Sequence, residues 1–407
     1  MLGFVKKKVN LGIIVNPFYS YCIAFSLSIF VYLLGWSNIF PKLSSNLLLF
    51  FASTIILFLL AGYLFLKKQN DFKSHQTFNP HLHDIIFSLI ILLGIINVLY
   101  MGYVPVLDRN HNYREFGMPV IDPVFNTLCI FFSVIYFHSF LDTRKKRFLT
   151  YFIIILIIQI IIFRRATIIW IVISSVFLFI LYKQKVSLLF IVLGIIIILP
   201  ASYFFGLYGN ARSHLTKSFV LNDLGASDKF KNSGISYEHY MTYLYMSSPL
   251  ANLQKNIDKR EEGFKQEDLK EFLFYCLVPK SFTSRLEESL QLEPPACFLI
   301  SPYLIVGSFY MESFYTMGWI GMIMMFLYLF SVILLCLLII RKWHFFVFET
   351  LSLLSATASL LIFSNFLNRL DVMLMLLVYP VLFHFIYASY KNFNGFSFRV
   401  PIAHLKQ

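Results

Sequence analysis

Charge is scarce in this sequence, and it has only one long polar stretch. Of the 407 residues, 14% are charged and 58% are hydrophobic, and the mean hydropathy is +0.72. A soluble domain of this size carries and exposes far more charge than this. The composition therefore excludes an ordinary soluble protein and indicates a chain that lies mostly in lipid.

Several motifs that carry enzyme chemistry are also absent. The sequence has no Walker loop, no Rossmann glycine fingerprint, no HExxH and no CxxC pair. Only five cysteines occur, and two of them, Cys276 and Cys297, fall in the long polar stretch. Two buried thiols are the favoured interpretation there, with a disulfide as the alternative. The sequence thus predicts no cofactor and no metal site.

Continuous apolar runs dominate what is present. A helix needs about 20 apolar residues to cross a bilayer, and unbroken blocks favour helices over the alternating strands of a β-barrel. We predict an all-α polytopic membrane protein with about ten transmembrane helices and one large periplasmic loop before the eighth span. The predicted spans are 15–36, 47–66, 85–107, 120–141, 148–163, 166–182, 186–205, 318–340, 348–367 and 371–390. Spans one to seven make up 1–205, the large loop 206–316, and the last three spans with a cytoplasmic tail 317–407.

The net charge of +13 could suggest a nucleic-acid partner. The positions of the basic residues instead predict how the chain is oriented in the membrane. If the N-terminus is inside, the short cytoplasmic segments receive 17 of the 34 basic residues and the short outer turns receive six. Cytoplasmic segments of membrane proteins are enriched in Lys and Arg in this way. We therefore expect both termini in the cytoplasm, the large loop in the periplasm, and a multi-pass location in a bacterial inner membrane.

Arginines on the predicted outer face are candidates for binding an anionic substrate. A guanidinium group matches phosphate oxygens in bidentate fashion, and placing one near lipid is costly unless something pairs with it. The alternatives are snorkelling to lipid headgroups and local ion pairs, with Arg369 and Asp371 as the obvious pair. The diphosphate-binding candidates are Arg164, Arg165, Arg212, Arg285 and Arg369.

Glu312 is the first candidate for a general base. It lies at the start of the predicted eighth span, between Phe309-Tyr310 and Phe314-Tyr315. Apolar surroundings are expected to raise the pKa of a carboxyl group, which suits proton abstraction near neutral pH. The alternative is a helix-start carboxylate favoured by the helix dipole. Further acid–base candidates are His214, Glu238 and His239.

The outer-face sequences resemble a known family. Four short motifs carry the resemblance: Tyr113-Arg114-Glu115-Phe116-Gly117-Met118-Pro119; Arg164-Arg165; Gly209-Asn210-Ala211-Arg212 with Tyr245 and Ser248-Pro249-Leu250-Ala251-Asn252-Leu253; and Phe309-Tyr310 with Gly318 and Gly321. Together they are similar to the bacterial O-antigen polymerase (oligosaccharide repeat-unit polymerase, Wzy-type) family. The match covers roughly 110–370 in pieces, and the stretch 245–253 is its most specific part.

This resemblance implies a fold and an activity. The fold would be that of the polymerase/ligase branch of the C-type glycosyltransferase superfamily (GT-C). The activity would be metal-independent transfer of a growing glycan from undecaprenyl diphosphate onto a lipid-linked repeat unit, both of them lipid-linked oligosaccharides. Membrane lipid and a chain-length regulator protein are the other partners that it implies. The motifs supply four candidates for binding the acceptor sugar: Tyr113, Tyr245, Asn252 and Tyr310.

Other functions stay open at this stage. Related O-antigen ligases carry a catalytic histidine at the start of the corresponding span, where this chain has Gly307, so a ligase is less favoured. A lipid-linked oligosaccharide flippase is expected to have short loops, which the large loop disfavours. A polyprenyl-phosphate sugar transferase usually has acidic residues in its first outer loop, and 37–46 has none. The chain could also be a non-catalytic export or assembly partner, and only the outer arginines argue against that function.

Overall fold

The structure is a computed structural model that describes residues 8–10, 12, 15–69, 80–107, 116–213, 216–260, 266–280, 282–283, 286–287, 293–343 and 346–395. Helices account for most of these residues. One short antiparallel ribbon also occurs in the described ranges, in which β1 (Lys8–Asn10) pairs with β2 (Lys185–Ser187). The chain therefore belongs to the all-α class.

The described residues of the first part of the chain form long helices in sequence. They are α1 (Pro17–Tyr32), α2 (Ser45–Gln69), α3 (Pro80–Met101), α4 (Ile121–Thr143), α5 (Lys146–Ile161), α6 (Arg165–Lys183) and α7 (Leu188–Ser213).

Within the described residues, the polar stretch and the C-terminal part contain further α-helices and short irregular helices. The α-helices are α8 (Lys217–Asn222), α9 (Asp228–Lys231), α10 (Tyr237–Lys259), α11 (Gln266–Phe272), α12 (Met311–Trp343), α13 (Val347–Leu360), α14 (Leu370–Met373) and α15 (Tyr379–Gly395). The irregular ones are π-helices at Leu273–Leu277 and Leu374–Val378 and a 3₁₀-helix at Phe366–Asn368.

Seven of the described helical segments are long and apolar enough to cross a membrane by length and composition: Ser45–Phe65, His81–Met101, Ile121–Thr143, Arg165–Lys183, Leu188–Leu207, Met311–Lys342 and Leu370–Tyr387. The expectation of a multi-pass helical chain is thereby confirmed. The other three predicted spans overlap α1, α5 and α13, which have 16, 16 and 14 residues. Ten spans, their orientation and the kind of membrane stay predictions.

The predicted seventh span ends earlier than the helix that contains it. Polar residues begin at about 206, yet α7 continues to Ser213. Helix α10 packs against α7. Thr242 donates a hydrogen bond to the carbonyl of Ser202 at 2.7 Å, and the rings of Tyr245 and Phe205 lie 5.2 Å apart. These contacts fix the part of α7 that comes just before its polar end.

The chain divides into two compact units. The first comprises Met1–Asp71, Val172–Leu337 and Leu351–Met373, and the second comprises Phe72–Ile171, Leu338–Thr350 and Leu374–Gln407. In the first unit α10 packs against α1, α7 and α8. In the second, α4 packs against α3, α5 and the π-helix Leu374–Val378. Each unit has its own interior.

The polar stretch of the first unit is folded around an aromatic core. Tyr240 and Tyr243 of α10 stack with their ring planes 16° apart, and Phe230 lies 4.9 Å from Tyr240. Trp36, from the segment after α1, packs against both Phe230 and Tyr243. Burying these large rings is strongly favourable, which explains why this polar part of the sequence folds.

The segment 266–277 is helical as its apolar spacing predicts, but its register differs. The spacing predicts that Leu269, Phe272, Leu273 and Cys276 share one face. The structure buries Phe272 and Cys276 completely and leaves Leu269 and Leu273 36% and 44% exposed. The helix changes from α to π at Leu273, and the wider turn rotates the following side chains.

The first two turns of α12 are separated from its long apolar part by a sharp break. Gly318 has φ 60° and ψ −141°, a conformation that is open essentially to glycine alone. At Gly321 a Cβ would clash with the carbonyl oxygen of Ser313, so the two parts of α12 approach closely. The two glycines that the family motif contains therefore both serve this break.

Replacing Gly318 tests the importance of the break. We expect Gly318→Ala to lower the free energy of unfolding by about 1–3 kcal/mol, since alanine is strained at this φ and ψ. Gly194→Ala is the matched control, because a Cβ there meets nothing within 4 Å. Thermal unfolding of the purified protein in detergent compares the two. Equal midpoints for both variants would contradict a strained break.

Candidate functional site

The candidate site lies in the first unit, where the polar stretch leads into α12. Glu312 is in the first turn of α12, and its Oε1 accepts a hydrogen bond from Lys280 Nζ at 3.2 Å. The Glu312 side chain is 27% exposed and that of Lys280 is 61% exposed. The site thus has a carboxylate that is mostly sheltered, next to a cation that is mostly in solvent.

Two irregular helices of the same unit are joined by asparagine side chains. The amide of Asn365 donates to the carbonyl of Cys276 at 2.8 Å, and the amide of Asn368 donates to that of Tyr275 at 3.2 Å. The 3₁₀-helix Phe366–Asn368 is thereby attached to the π-helix Leu273–Leu277. Short π-helices occur frequently at functional sites. Non-helical backbone at membrane depth is tolerated where it is buried in protein or lines a cavity.

Helix α10 holds the segment that delivers Glu312. Asn252 donates to the carbonyls of Leu304 and Val306 at 2.6 and 2.8 Å and accepts from the N–H of Ile300 at 2.8 Å. Asn256 makes a reciprocal pair with the backbone of Phe298, at 2.9 Å in each direction. The extended segment 298–306 is therefore tied to two successive turns of one face of α10.

Arg260 is a site residue that sequence reasoning missed. It donates to the carbonyls of Tyr315 and Thr316 at 2.9 Å each, and it pairs with Asp268 at 3.6 Å. These carbonyls end the short helix before the Gly318 break and have lost their helical partners. The sequence showed Arg260 only as part of a mixed-charge run, 258–262, which gives no sign of a backbone partner.

Four buried polar atoms of the first unit have no hydrogen-bond partner among the described residues: Glu312 Oε2, Asn365 Oδ1, Asn368 Oδ1 and Tyr275 Oη. Asn365 is 6% exposed and Asn368 is completely buried. Leaving such groups unpaired costs about 1–3 kcal/mol each.

The two thiols of the polar stretch also lie close to Glu312. Burial first, and the Glu312 carboxylate second, raise the pKa of the Cys297 thiol to about 12. The same two causes raise the pKa of Cys276. Both cysteines are free thiols in the structure. A nucleophilic cysteine needs a lowered pKa, so these thiols do not suit nucleophilic catalysis.

The predicted arginines have different environments. Arg369 forms a two-point ion pair with Asp371, as expected, at 3.1 and 2.5 Å, and its side chain is 42% exposed. Arg212 lies in the last turn of α7, with no description of its side chain, and Arg285 lies outside the described residues. Arg369 lies near the π-helix, because it follows Asn368, whose amide donates to the carbonyl of Tyr275.

The arginine pair of the second unit makes local contacts there. Arg164 binds Asp122 at 2.6 Å and the carbonyl of Phe116 at 2.5 Å. Arg165 begins α6 and is partly buried. A fixed carboxylate partner weakens the argument that lipid phosphate must neutralise Arg164, since Asp122 already does so. Their role in binding a diphosphate stays a prediction.

The histidine and acceptor-sugar candidates are dispersed. His239 Nδ1 lies 2.7 Å from Ser202 Oγ on α7, and Tyr245 packs on the same helix. Tyr310 is completely buried, and its hydroxyl lies 2.7 Å from that of Tyr21. The amide of Asn252 is engaged by backbone. His214 and Tyr113 lie outside the described residues.

The described residues include no group of three or more His, Cys, Asp or Glu side chains arranged to hold a metal ion. The fold and the site together define a multi-pass helical membrane protein with a sheltered carboxylate at the start of a long apolar helix. Comparisons with protein-family models, curated proteins and solved structures find no match for the chain.

The asparagine contacts with segment 298–306 can be tested by truncation. We expect Asn252→Ala to lower the free energy of unfolding by about 3 kcal/mol, because three backbone groups, one in a buried and two in partly buried hydrogen bonds, lose their partner. Asn222→Ala is the control, since its amide makes one exposed contact, to Ser218 at 3.3 Å. Denaturant unfolding in detergent gives both values. A cost for Asn252→Ala no larger than the control's would show that α10 does not hold the segment.

The environment of Cys297 predicts its reactivity. Only the thiolate reacts with maleimide, so labelling should keep increasing with pH beyond 9.0, the ordinary pKa, towards about 12. Glu312→Gln removes a charge that opposes ionisation and should speed labelling at any fixed pH. Peptide mass spectrometry of the Cys297 peptide measures the rate. A plateau just above pH 9 would contradict the assignment.

Proposed function

We propose that this chain is a glycosyltransferase of the O-antigen polymerase kind, located in a bacterial inner membrane with both termini in the cytoplasm. It transfers a growing glycan from undecaprenyl diphosphate onto a lipid-linked repeat unit at the periplasmic face, and a chain-length regulator is a candidate partner. The observation that carries the proposal is the sheltered Glu312 carboxylate beside Lys280, where the polar stretch meets α12. The sequence resemblance to the polymerase family, and to the C-type superfamily fold, is the second support.

In this reaction Glu312 acts as general base. It takes the proton from the acceptor hydroxyl as the oxygen forms a bond to the anomeric carbon of the donor glycan. The bond between that carbon and the diphosphate oxygen breaks, and undecaprenyl diphosphate leaves with the electron pair. Lys280 lies within reach of the carboxylate and can shift to the developing charge of the leaving group.

Arginines complete the proposed diphosphate site. Arg369 is paired with Asp371 but remains partly exposed, and it lies next to the 3₁₀-helix that contacts the π-helix. Arg260 adds positive charge at the Gly318 break. Arg164, Arg165, Arg212 and Arg285 keep the role that the resemblance implies. A lipid diphosphate is already a good leaving group, so cationic side chains suffice for its stabilisation without a metal.

A flippase for lipid-linked oligosaccharides is the second candidate function. One observation favours it: in the second unit, His138 Nδ1 and Glu349 Oε1 lie 2.6 Å apart between α4 and α13, and both residues are buried. Ionisable pairs inside membrane helices are costly, and they often mark proton or substrate pathways in transporters. A flippase, however, gives no chemical role to the sheltered carboxylate of Glu312.

The first experiment is a polymerisation assay on the purified protein with lipid-linked repeat units, resolved as ladders on gels. Glu312→Gln should lower the rate at least 100-fold, since general-base catalysis contributes roughly 10²–10⁴-fold. Asp228→Asn is the matched control, because this outer carboxylate is exposed on α9 and should leave the ladder unchanged.

The alternatives give distinct results in the same preparation. A product in which the glycan is joined to a lipid A acceptor instead of to a repeat unit would indicate a ligase. Movement of repeat units across liposomes, with no new glycosidic bond, would replace the polymerase by the flippase. A wild-type ladder that Glu312→Gln leaves intact would remove Glu312 from the mechanism.

A further inference from the structure

We propose that His138 and Glu349 form a binding site for one proton inside the second unit, and that this proton holds the start of α13 against α4. Both side chains belong to the described part of that unit. The pair contains no residue of the glycan-transfer mechanism, so the proton site is independent of that reaction.

The two side chains meet between α4 and α13. His138 Nδ1 and Glu349 Oε1 lie 2.6 Å apart, and the side chains are 6% and 0% exposed. At this distance a proton must lie between the nitrogen and the oxygen, because two bare lone pairs would repel each other. The contact is therefore a short hydrogen bond in a place that is almost closed to water.

Burial decides how many protons the pair holds. A neutral imidazole beside an ionised carboxylate would leave one net negative charge away from water, which is unfavourable. One further proton, on the imidazole or on the carboxylate, makes the pair neutral as a whole. Asp142, on the same helix as His138, adds negative charge nearby and favours retention of that proton. The folded pair therefore holds one titratable proton through the neutral range.

Titratable groups of two other helices lie behind the pair. Tyr387 of α15 faces Glu349, and its hydroxyl lies 3.4 Å from both ring nitrogens of His83 on α3. A phenol is uncharged in the neutral range, so Tyr387 brings no positive charge to the carboxylate. The proton shared with His138 is thus the one that the contact between α4 and α13 depends on.

The backbone just before α13 needs contacts to hold it. Phe346 is completely buried and has φ 51°, a left-handed conformation that is unfavourable for a bulky residue and persists only where its surroundings fix it. Its ring lies 5.7 Å from that of Phe131 on α4. The ring of Phe348 lies 6.0 Å from the imidazole of His138. The hydrogen bond from α4 to Glu349 adds a polar contact to these, and its loss weakens the hold on the turn.

Proton binding by the folded pair gives stability a definite dependence on pH. In an unfolded chain a histidine loses its proton near about pH 6.5 and a glutamic acid near about pH 4.3. Between these values the folded and unfolded chains each hold one proton at the two positions. Above about pH 6.5 the unfolded chain holds none and the folded pair still holds one, so stability decreases as the pH rises.

Glu349→Gln tests the number of protons. The glutamine amide oxygen can accept from Nδ1–H of a neutral His138, so the hydrogen bond is kept and the shared proton is lost. A lone imidazolium would be costly in this place, so the folded variant holds no titratable proton there. The unfolding constant of the variant divided by that of wild type should therefore fall about tenfold for each pH unit between about pH 5.5 and 8. Denaturant unfolding of the full-length protein in detergent measures both constants.

Asp84→Asn is the matched control within the same unit. Asp84 pairs with Arg147 at 3.7 Å, and both side chains are about a third exposed. The unfolding constant of this variant divided by that of wild type should stay constant over the same pH range. A constant ratio for Glu349→Gln as well, or one that rises with pH, would overturn the proton site.

Amide hydrogen exchange of the wild-type protein provides a second readout that needs no substitution. The N–H of Thr350 donates to the carbonyl of Phe346 at 2.8 Å, so the start of α13 has a protected amide. Protection, corrected for the intrinsic exchange rate at each pH, should fall about tenfold or more in a peptide covering 346–354 between about pH 6 and 9. A peptide covering 128–134, in the middle of α4, should keep its protection. Unchanged protection at 346–354 would show that no proton holds the start of α13.

Discussion

The hydrogen bonds between α10 and the extended segment 298–306 are the contacts on which the candidate site depends. That segment has no helix or sheet of its own, so its buried backbone groups need partners from elsewhere. Asn252 and Asn256 supply them from one face of α10. Because the segment runs directly into Glu312, its position decides where the carboxylate lies. The polar stretch is thereby a fixed support for the start of α12 and not a loose connection.

The need of backbone groups for hydrogen-bond partners also explains the contacts at the other irregular parts of the first unit. The Gly318 break deprives the carbonyls of Tyr315 and Thr316 of helical partners, and Arg260 replaces them. Asn365 and Asn368 do the same for two carbonyls of the π-helix. Each of these irregular segments therefore has a polar side chain that donates hydrogen bonds to its carbonyl groups. Glu312 and the amide oxygens of these asparagines retain acceptor atoms without a partner in the described part of the chain.

Sequence reasoning selected Glu312 and the Arg369–Asp371 pair because their signals are local. A carboxylate among aromatic residues at the start of a span, and two opposite charges two positions apart, are visible without a structure. Arg260, Asn365, Asn368 and Tyr275 gave no such signal, since their importance comes from partners 55, 89 and 93 positions away. Asn252 was noticed through a family motif, and its backbone partners explain why an asparagine stands there without requiring a sugar.

The sequence by itself determined the class of protein. A helix must be long and apolar to cross a bilayer, and such helices are visible in the sequence as long apolar runs. It also predicted the positions of those helices to within several residues. Only the tertiary structure decided that α10 packs along α7, that the helix after Phe272 is a π-helix, and that Arg260 bonds to the carbonyls before the Gly318 break. These features depend on contacts between distant segments, and hydropathy contains no information about which distant segments meet.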